Sequence, residues 1–295
     1  MTVKWADEVK TWTNLNPGWR YGFLGDEACT KYVDDHFRDQ PAIHNFWHEL
    51  NVTILRADFI RYLTMLAEGG VYSDMDTSCL KPIVDWIPTE FEEMDIQVVA
   101  GIEYDDNTYP MFARPISLCQ WTLMAKPGHP VFQKVVARVI YHLEYLARIK
   151  HVELGQLKLE KKEVLDATGP GAFTDSVMEV ISNHEGRRVE WKELSQLKQP
   201  KLYGDVLILP INAFAGNQKH SHSGDAAYGP KLVKHHFGRS WYTSGKPTKE
   251  LQEKPKKEPQ EKLKKKPQEE LKSGEKDKST EAANDHTAKK KSGSP

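Results

Sequence analysis

Between residues 20 and 210 the chain alternates short apolar runs with longer stretches whose apolar positions recur every three or four residues. A period of two marks a half-buried strand, and a period near 3.6 marks an amphipathic helix. On that basis strands are predicted at 21–24, 71–73, 98–102, 116–124 and 206–209, and helices at 27–37, 54–68, 130–147 and 172–182. The last two helices begin beside proline and Gly-Pro-Gly, which suit helix entry. Strands interleaved with helices predict an α/β fold: a Rossmann-like, mainly parallel sheet with flanking helices. The first eighteen residues, MTVKWADEVKTWTNLNPG, read instead as a polar amphipathic helix and a turn. A nucleotide-binding α/β unit ordinarily opens with a buried strand, so the expectation is a folded domain over 1–245 that is incomplete at its N terminus.

Hydrophobic residues make up 39% of the chain, with eight tryptophans and eleven tyrosines, enough for the core of an enzyme-sized body. The overall charge of −1 hides an asymmetry: residues 246–295 hold 15 Lys against 10 Asp and Glu, a surplus of +5 that leaves −6 for the rest. Within that segment LQEKPKKEPQEKLKKKPQEELK repeats Lys blocks and Pro with almost nothing apolar, so it is expected to be a disordered, solvated tail. A mildly acidic body gives no electrostatic reason to bind nucleic acid. The three cysteines, Cys29, Cys79 and Cys119, are far apart and show no metal-binding spacing. No apolar run approaches the ~20 residues that span a bilayer, and no secretory signal is visible.

The chemistry concentrates in residues 56–80, RADFIRYLTMLAEGGVYSDMDTSCL. On a helix, Asp58, Arg61, Tyr62 and Met65 share one face beside an apolar stripe of Phe59, Leu63 and Leu66, which places the Asp58/Arg61 pair in partial burial. The pair reads equally as a structural ion pair or as part of a site. Gly69-Gly70 stops the helix. In the extended segment that follows, alternation predicts Tyr72, Asp74 and Asp76 on one side. Two carboxylates two residues apart are hard oxygen ligands for Mn²⁺ or Mg²⁺, and such an ion can neutralise a departing diphosphate. A bare DxD is a weak signal; the buried Asp/Arg helix, double-glycine stop and short strand before it strengthen it.

R-x-D-x-x-R-Y-x-x-L followed by G-G-V-Y-x-D-x-D resembles the sugar-binding DxD region of glycosyltransferase family 32. Further stretches sharpen the resemblance toward the family's fungal α-1,6-mannosyltransferase branch: Gln120-Trp121, Ala125-Lys126-Pro127-Gly128-His129-Pro130, Thr168-Gly169-Pro170-Gly171-Ala172-Phe173-Thr174-Asp175, Gly204-Asp205-Val206-Leu207-Ile208-Leu209-Pro210, and the ending Lys234-His235-His236-Phe237-Gly238-Arg239-Ser240-Trp241. Together they cover most of residues 10–242. The resemblance implies a GT-A fold and a metal-dependent retaining transfer of mannose from GDP-mannose to an N-glycan or mannan acceptor. It implies metal ligation by Asp74, Asp76 and His235 (rather than His236), and donor contacts from Asp58, Arg61, Tyr62, Tyr72, Asp74, Ser240 and Trp241. Gln120 and Trp121 are candidates to line the cleft, Trp121 reading equally as core; Asp175 and Asp225 are candidates for acceptor contact, and 168–171 for a loop shaping the site. It further implies the lumenal side of the Golgi membrane and a Golgi mannosyltransferase complex, and Asn51-Val52-Thr53 is a glycosylation sequon compatible with that lumen. Arg239 stands where the family pattern has glycine, and the residues read here start after the positions where the family's opening strand and membrane anchor are expected. Those departures support a competing expectation, a catalytically degenerate relative acting as a binding or assembly subunit. A DxD hydrolase would need a second acidic cluster or a nucleophile motif that the sequence does not show.

Overall fold

The computed structural model describes residues 4–106 and 114–238. Arg239, Ser240, Trp241 and the lysine-rich segment lie outside the described residues. In chain order the helices are α1 (Ala6–Leu15), α2 (Asp26–Phe37), α3 (Pro41–Glu49), α4 (Thr53–Ala67), α5 (Pro130–Ile149), α6 (Lys161–Ala167), α7 (Pro170–His184) and α8 (Asn212–Ala215). The strands are β1 (Gly70–Ser73), β2 (Thr77–Cys79), β3 (Val98–Asp105), β4 (Ile116–Leu118), β5 (Thr122–Ala125), β6 (Lys201–Tyr203), β7 (Val206–Leu209) and β8 (Val233–His235).

Proline at the start of α5 and α7 costs no hydrogen bond, because the first N–H groups of a helix have no partner. The His129 side chain caps α5 by accepting from the Val131 N–H at 3.2 Å. Val131, Phe132, Val135, Val136, Val139 and Leu143 form one buried stripe on α5, as a period near 3.6 requires. α4 is buried on several faces, with Leu55, Phe59, Tyr62 and Leu63 all at 0% exposure.

The main sheet runs β1-β5-β3-β7-β6, with β4 paired to β3, and a separate ribbon joins β2 to β8. Helices flank a mixed sheet, so the α/β class holds, but the sheet is not mainly parallel. Among the described residues only β3 and β7 run parallel; β1·β5, β3·β5, β3·β4 and β6·β7 are antiparallel. The reason lies in the connections: α5, α6 and α7 intervene between β3 and β7, and a parallel pair needs such a crossover.

Two strand boundaries are corrected. The predicted strand at 116–124 is two strands, β4 and β5, interrupted where the Cys119 N–H turns to the Gly101 carbonyl. The predicted strand at 21–24 has no ladder partner among the described residues; Tyr21 and Phe23 are exposed at 47% and 58%.

Gly69 ends α4 with φ +66°, and a Cβ there would stand 2.5 Å from the Ala125 carbonyl oxygen of β5. Only glycine meets both conditions. Gly69→Ala is therefore expected to cost roughly 2–3 kcal/mol, or about 5–10 °C of Tm in a body of this size. A thermal melt within a degree of the unsubstituted chain would contradict this reading.

Candidate functional site

The two acids of the DxD flank a tight turn. β1 ends at Ser73, Asp74 and Met75 follow, and β2 begins at Thr77. Strand alternation is therefore not what aligns Asp74 with Asp76, contrary to the sequence expectation. The turn is fixed by the Asp74 N–H donating to the Trp121 carbonyl at 2.9 Å and the Thr77 hydroxyl donating to the Asp74 carbonyl at 2.6 Å. β8 then pairs with β2 so that His235 lies opposite Thr77. That register brings His235 Nε2 to 3.1 Å from Asp76 Oδ1, while the Gly238 N–H donates to Asp76 Oδ2 at 2.7 Å. One ligand atom from each of Asp74, Asp76 and His235 lies within 4.8 Å of the others. His236 turns away and meets the Ser78 hydroxyl at 2.8 Å.

Two carboxylates and an imidazole form a mixed oxygen and nitrogen donor set that fits Mn²⁺. Burial pushes the Asp76 carboxyl upward, but hydrogen bonds from His235 and the Gly238 N–H outweigh it and hold it below the usual range. The carboxylate is thus ionised and ready to ligate.

Behind the turn lies a buried polar network. Arg61 bonds Asp58 Oδ1 through Nη1 at 3.1 Å and Asp74 Oδ1 through Nη2 at 3.3 Å. The Tyr72 hydroxyl donates to the same Asp74 oxygen at 2.8 Å, and the Arg61 guanidinium sits 5.5 Å from the Tyr72 ring centre. Burial lowers the Arg61 pKa, but Asp74, Tyr72 and Asp58 more than reverse that, so the guanidinium stays cationic. Asp58 accepts further hydrogen bonds from Thr168 Oγ1 at 2.6 Å and Gln120 Nε2 at 3.2 Å. Gln120 therefore holds Asp58.

Tyr62 packs in the core beside this network. It is 0% exposed and its hydroxyl donates to the Thr168 carbonyl at 2.8 Å, which ties the 168–171 turn to α4. Asp175 is held by Arg114, whose Nε and Nη2 each meet a carboxylate oxygen at 2.5 Å, with Arg114 Nη1 on Asp166. Asp225 caps a short turn by accepting from the Ala227 N–H at 2.9 Å. Among the described residues no hydrogen bond or ion pair links Asp175 or Asp225 to the DxD cluster. Ser240 and Trp241 lie outside the described residues.

A cavity of about 380 Å³ opens beside β1, lined by Tyr72, Ser73, Asp74, Trp12, Trp19 and Arg56 among others. Its volume falls within the usual range for small-ligand sites. Sequence reasoning missed one site residue, Glu103. It is buried at 8% exposure near the end of β3 and accepts the Trp121 indole N–H at 2.9 Å. Burial pushes its carboxyl up. The available signal was a lone acid inside the apolar run VVAGIEY.

Comparison with known proteins places this arrangement. The family described as glycosyltransferase sugar-binding region containing DXD motif matches residues 2–92, a span that includes both acids and the Asp58/Arg61 helix. The chain is 31% identical over 264 residues to the initiation-specific alpha-1,6-mannosyltransferase of Candida albicans, covering 82% of this chain and 68% of that one. Against the protein of the same name from Schizosaccharomyces pombe it is 35% identical over 240 residues, covering 79% and 59%. Against that from Saccharomyces cerevisiae it is 25% identical, covering 79% and 72%. The chain belongs to this family of DXD-containing glycosyltransferases, glycosyltransferase family 32. It spans 59% of the length of the Schizosaccharomyces pombe relative.

Proposed function

We propose that this chain carries the catalytic site of a metal-dependent α-1,6-mannosyltransferase that takes mannose from GDP-mannose, retains α configuration and extends an N-linked glycan or mannan. The observation that carries the reading is the convergence of Asp74, Asp76 and His235 within 4.8 Å, with Asp74 also bound by Arg61 and lining the cavity. Asp74, Asp76 and His235 would hold Mn²⁺, or Mg²⁺ in its place. The ion's contribution is to neutralise the charge that builds on the diphosphate.

The chain's own residues do the rest. Arg61 fixes the Asp74 carboxylate and brings a permanent positive charge to the donor side. Asp58, held by Gln120 and Thr168, fixes Arg61 in turn. The bond between the anomeric carbon and the diphosphate oxygen breaks, and one to the acceptor hydroxyl oxygen forms. The hydroxyl proton passes to the departing phosphate, a same-face route that needs no enzyme nucleophile. The cavity beside Asp74 is sized to take part of the nucleotide. The names of the relatives support the mannosyl assignment. From the motif resemblance alone we further propose action on the lumenal side of the Golgi membrane within a mannosyltransferase complex; among the described residues no helix is long and apolar enough to cross a membrane.

The purified chain incubated with Mn²⁺ and a panel of UDP- and GDP-sugars is expected to turn over GDP-mannose and to lose that turnover on chelation. Turnover of a UDP-sugar alone would overturn the donor assignment. Donor binding without turnover would favour the degenerate relative.

A further inference from the structure

Metal-binding histidines are ordinarily oriented by a hydrogen bond at the ring nitrogen that does not face the metal. His235 is built differently. Its Nε2 faces Asp76 at 3.1 Å, and its Nδ1 is buried with no hydrogen-bond partner among the described residues. What holds the ring plane is aromatic packing. The Trp121 ring lies nearly face-on to His235, centroids 4.4 Å apart and planes 18° apart, and Phe237 meets it at 4.1 Å with a 57° tilt. Trp121 has its own anchor: its indole N–H donates to Glu103 Oε1 at 2.9 Å, and both residues are buried, at 4% and 8% exposure. A buried indole N–H needs an acceptor, and this one fixes the rotation of the Trp121 ring in the plane it presents to His235.

Resting on the metal-dependent reading above, we propose that Glu103 and Trp121 are positioning residues for the metal centre. Glu103 fixes the indole, the indole fixes the plane of His235, and Nε2 is thereby held beside Asp76 with the Asp74 carboxylate close by. Stacking takes the place of a hydrogen bond at Nδ1, to which no described residue offers a partner. The link joins strand β3 of the main sheet to the β2·β8 ribbon, the two sheets that must stay in register for the three ligands to meet.

The test is binding of Mn²⁺ alone, followed by the paramagnetic resonance signal of free Mn²⁺ as the full chain is titrated. Trp121→Phe keeps a ring and removes the N–H donor, Glu103→Leu removes the acceptor, and Glu103→Gln keeps an acceptor without the charge. Trp121→Phe and Glu103→Leu are expected to weaken Mn²⁺ about tenfold, the lower end of what second-layer partners of metal ligands contribute. Glu103→Gln should stay within about threefold of the unsubstituted chain. The double variant Trp121→Phe/Glu103→Leu should bind no more weakly than either single one, because both break the same link. Thermal melts run alongside separate this from a packing role, which would lower Tm and leave Mn²⁺ affinity unmoved. Unchanged affinity in Trp121→Phe would overturn the proposal even if Glu103→Leu fails to fold. Equal weakening by Glu103→Gln and Glu103→Leu would also overturn it, by showing that charge and not the hydrogen bond matters. If the unsubstituted chain binds no Mn²⁺, the metal-dependent reading falls and this inference falls with it, an outcome distinct from normal binding that the variants do not disturb.

Discussion

Asp76→Asn is expected to lower Mn²⁺-dependent mannosyl transfer by at least about 10³-fold while leaving the fold standing. The substitution keeps the side-chain volume and one acceptor oxygen for the Gly238 N–H, now 2.7 Å away. Its cost in stability is that of one altered hydrogen bond, about 1 kcal/mol. What it removes is the negative charge beside His235. The folded-state pKa of Asp76 lies below its ordinary value. Its contribution to stability is therefore present above the ordinary aspartate range and lost as pH falls through the lowered value. In Asp76→Asn that acid-side loss should disappear, a second signature visible in thermal melts at decreasing pH. Transfer to a mannoside acceptor retained near the original rate would sink the assignment of Asp76 to the metal.

How far the sequence carries this picture depends on the kind of interaction involved. The α4 helix, the Gly69 stop and the paired acids are local features, written by periodicity, by a left-handed glycine and by adjacent residues. They could be read from one window of the chain. His235 and Asp76 are 159 residues apart in the chain, and their meeting rests on β2·β8 register, which no local pattern encodes. Only motif resemblance suggested it. The mainly parallel sheet was a wrong inference from alternating strands and helices, because several neighbours are joined without helical crossovers. The segment at 21–24 has strand composition, yet strand formation depends on a partner, and composition cannot supply one. Glu103 was passed over because an acid in an apolar strand looks like an exception until its acceptor role toward Trp121 is seen.

The largest stability effect is expected at Arg61. Arg61→Met leaves Asp58, 3% exposed, buried without its countercharge, and leaves Asp74 without its helix-side partner. Removing one member of a buried pair costs about 3–5 kcal/mol, which in a body of this size lowers Tm by roughly 10 °C or more. Replacing both members, Asp58→Leu with Arg61→Met, removes the stranded charge and should recover much of that loss, since apolar substitutes for buried pairs are often tolerated. The double variant thereby settles the choice that the sequence leaves open. If the pair is structural only, recovered stability should bring recovered transfer. If Arg61 serves the donor by fixing Asp74, stability returns and transfer does not. Measuring Tm and transfer on the same three proteins separates the outcomes, and recovery of both in the double variant would remove Asp58 and Arg61 from the site. The second outcome is expected, because Arg61 spends one arm on Asp58 and the other on a carboxylate of the DxD.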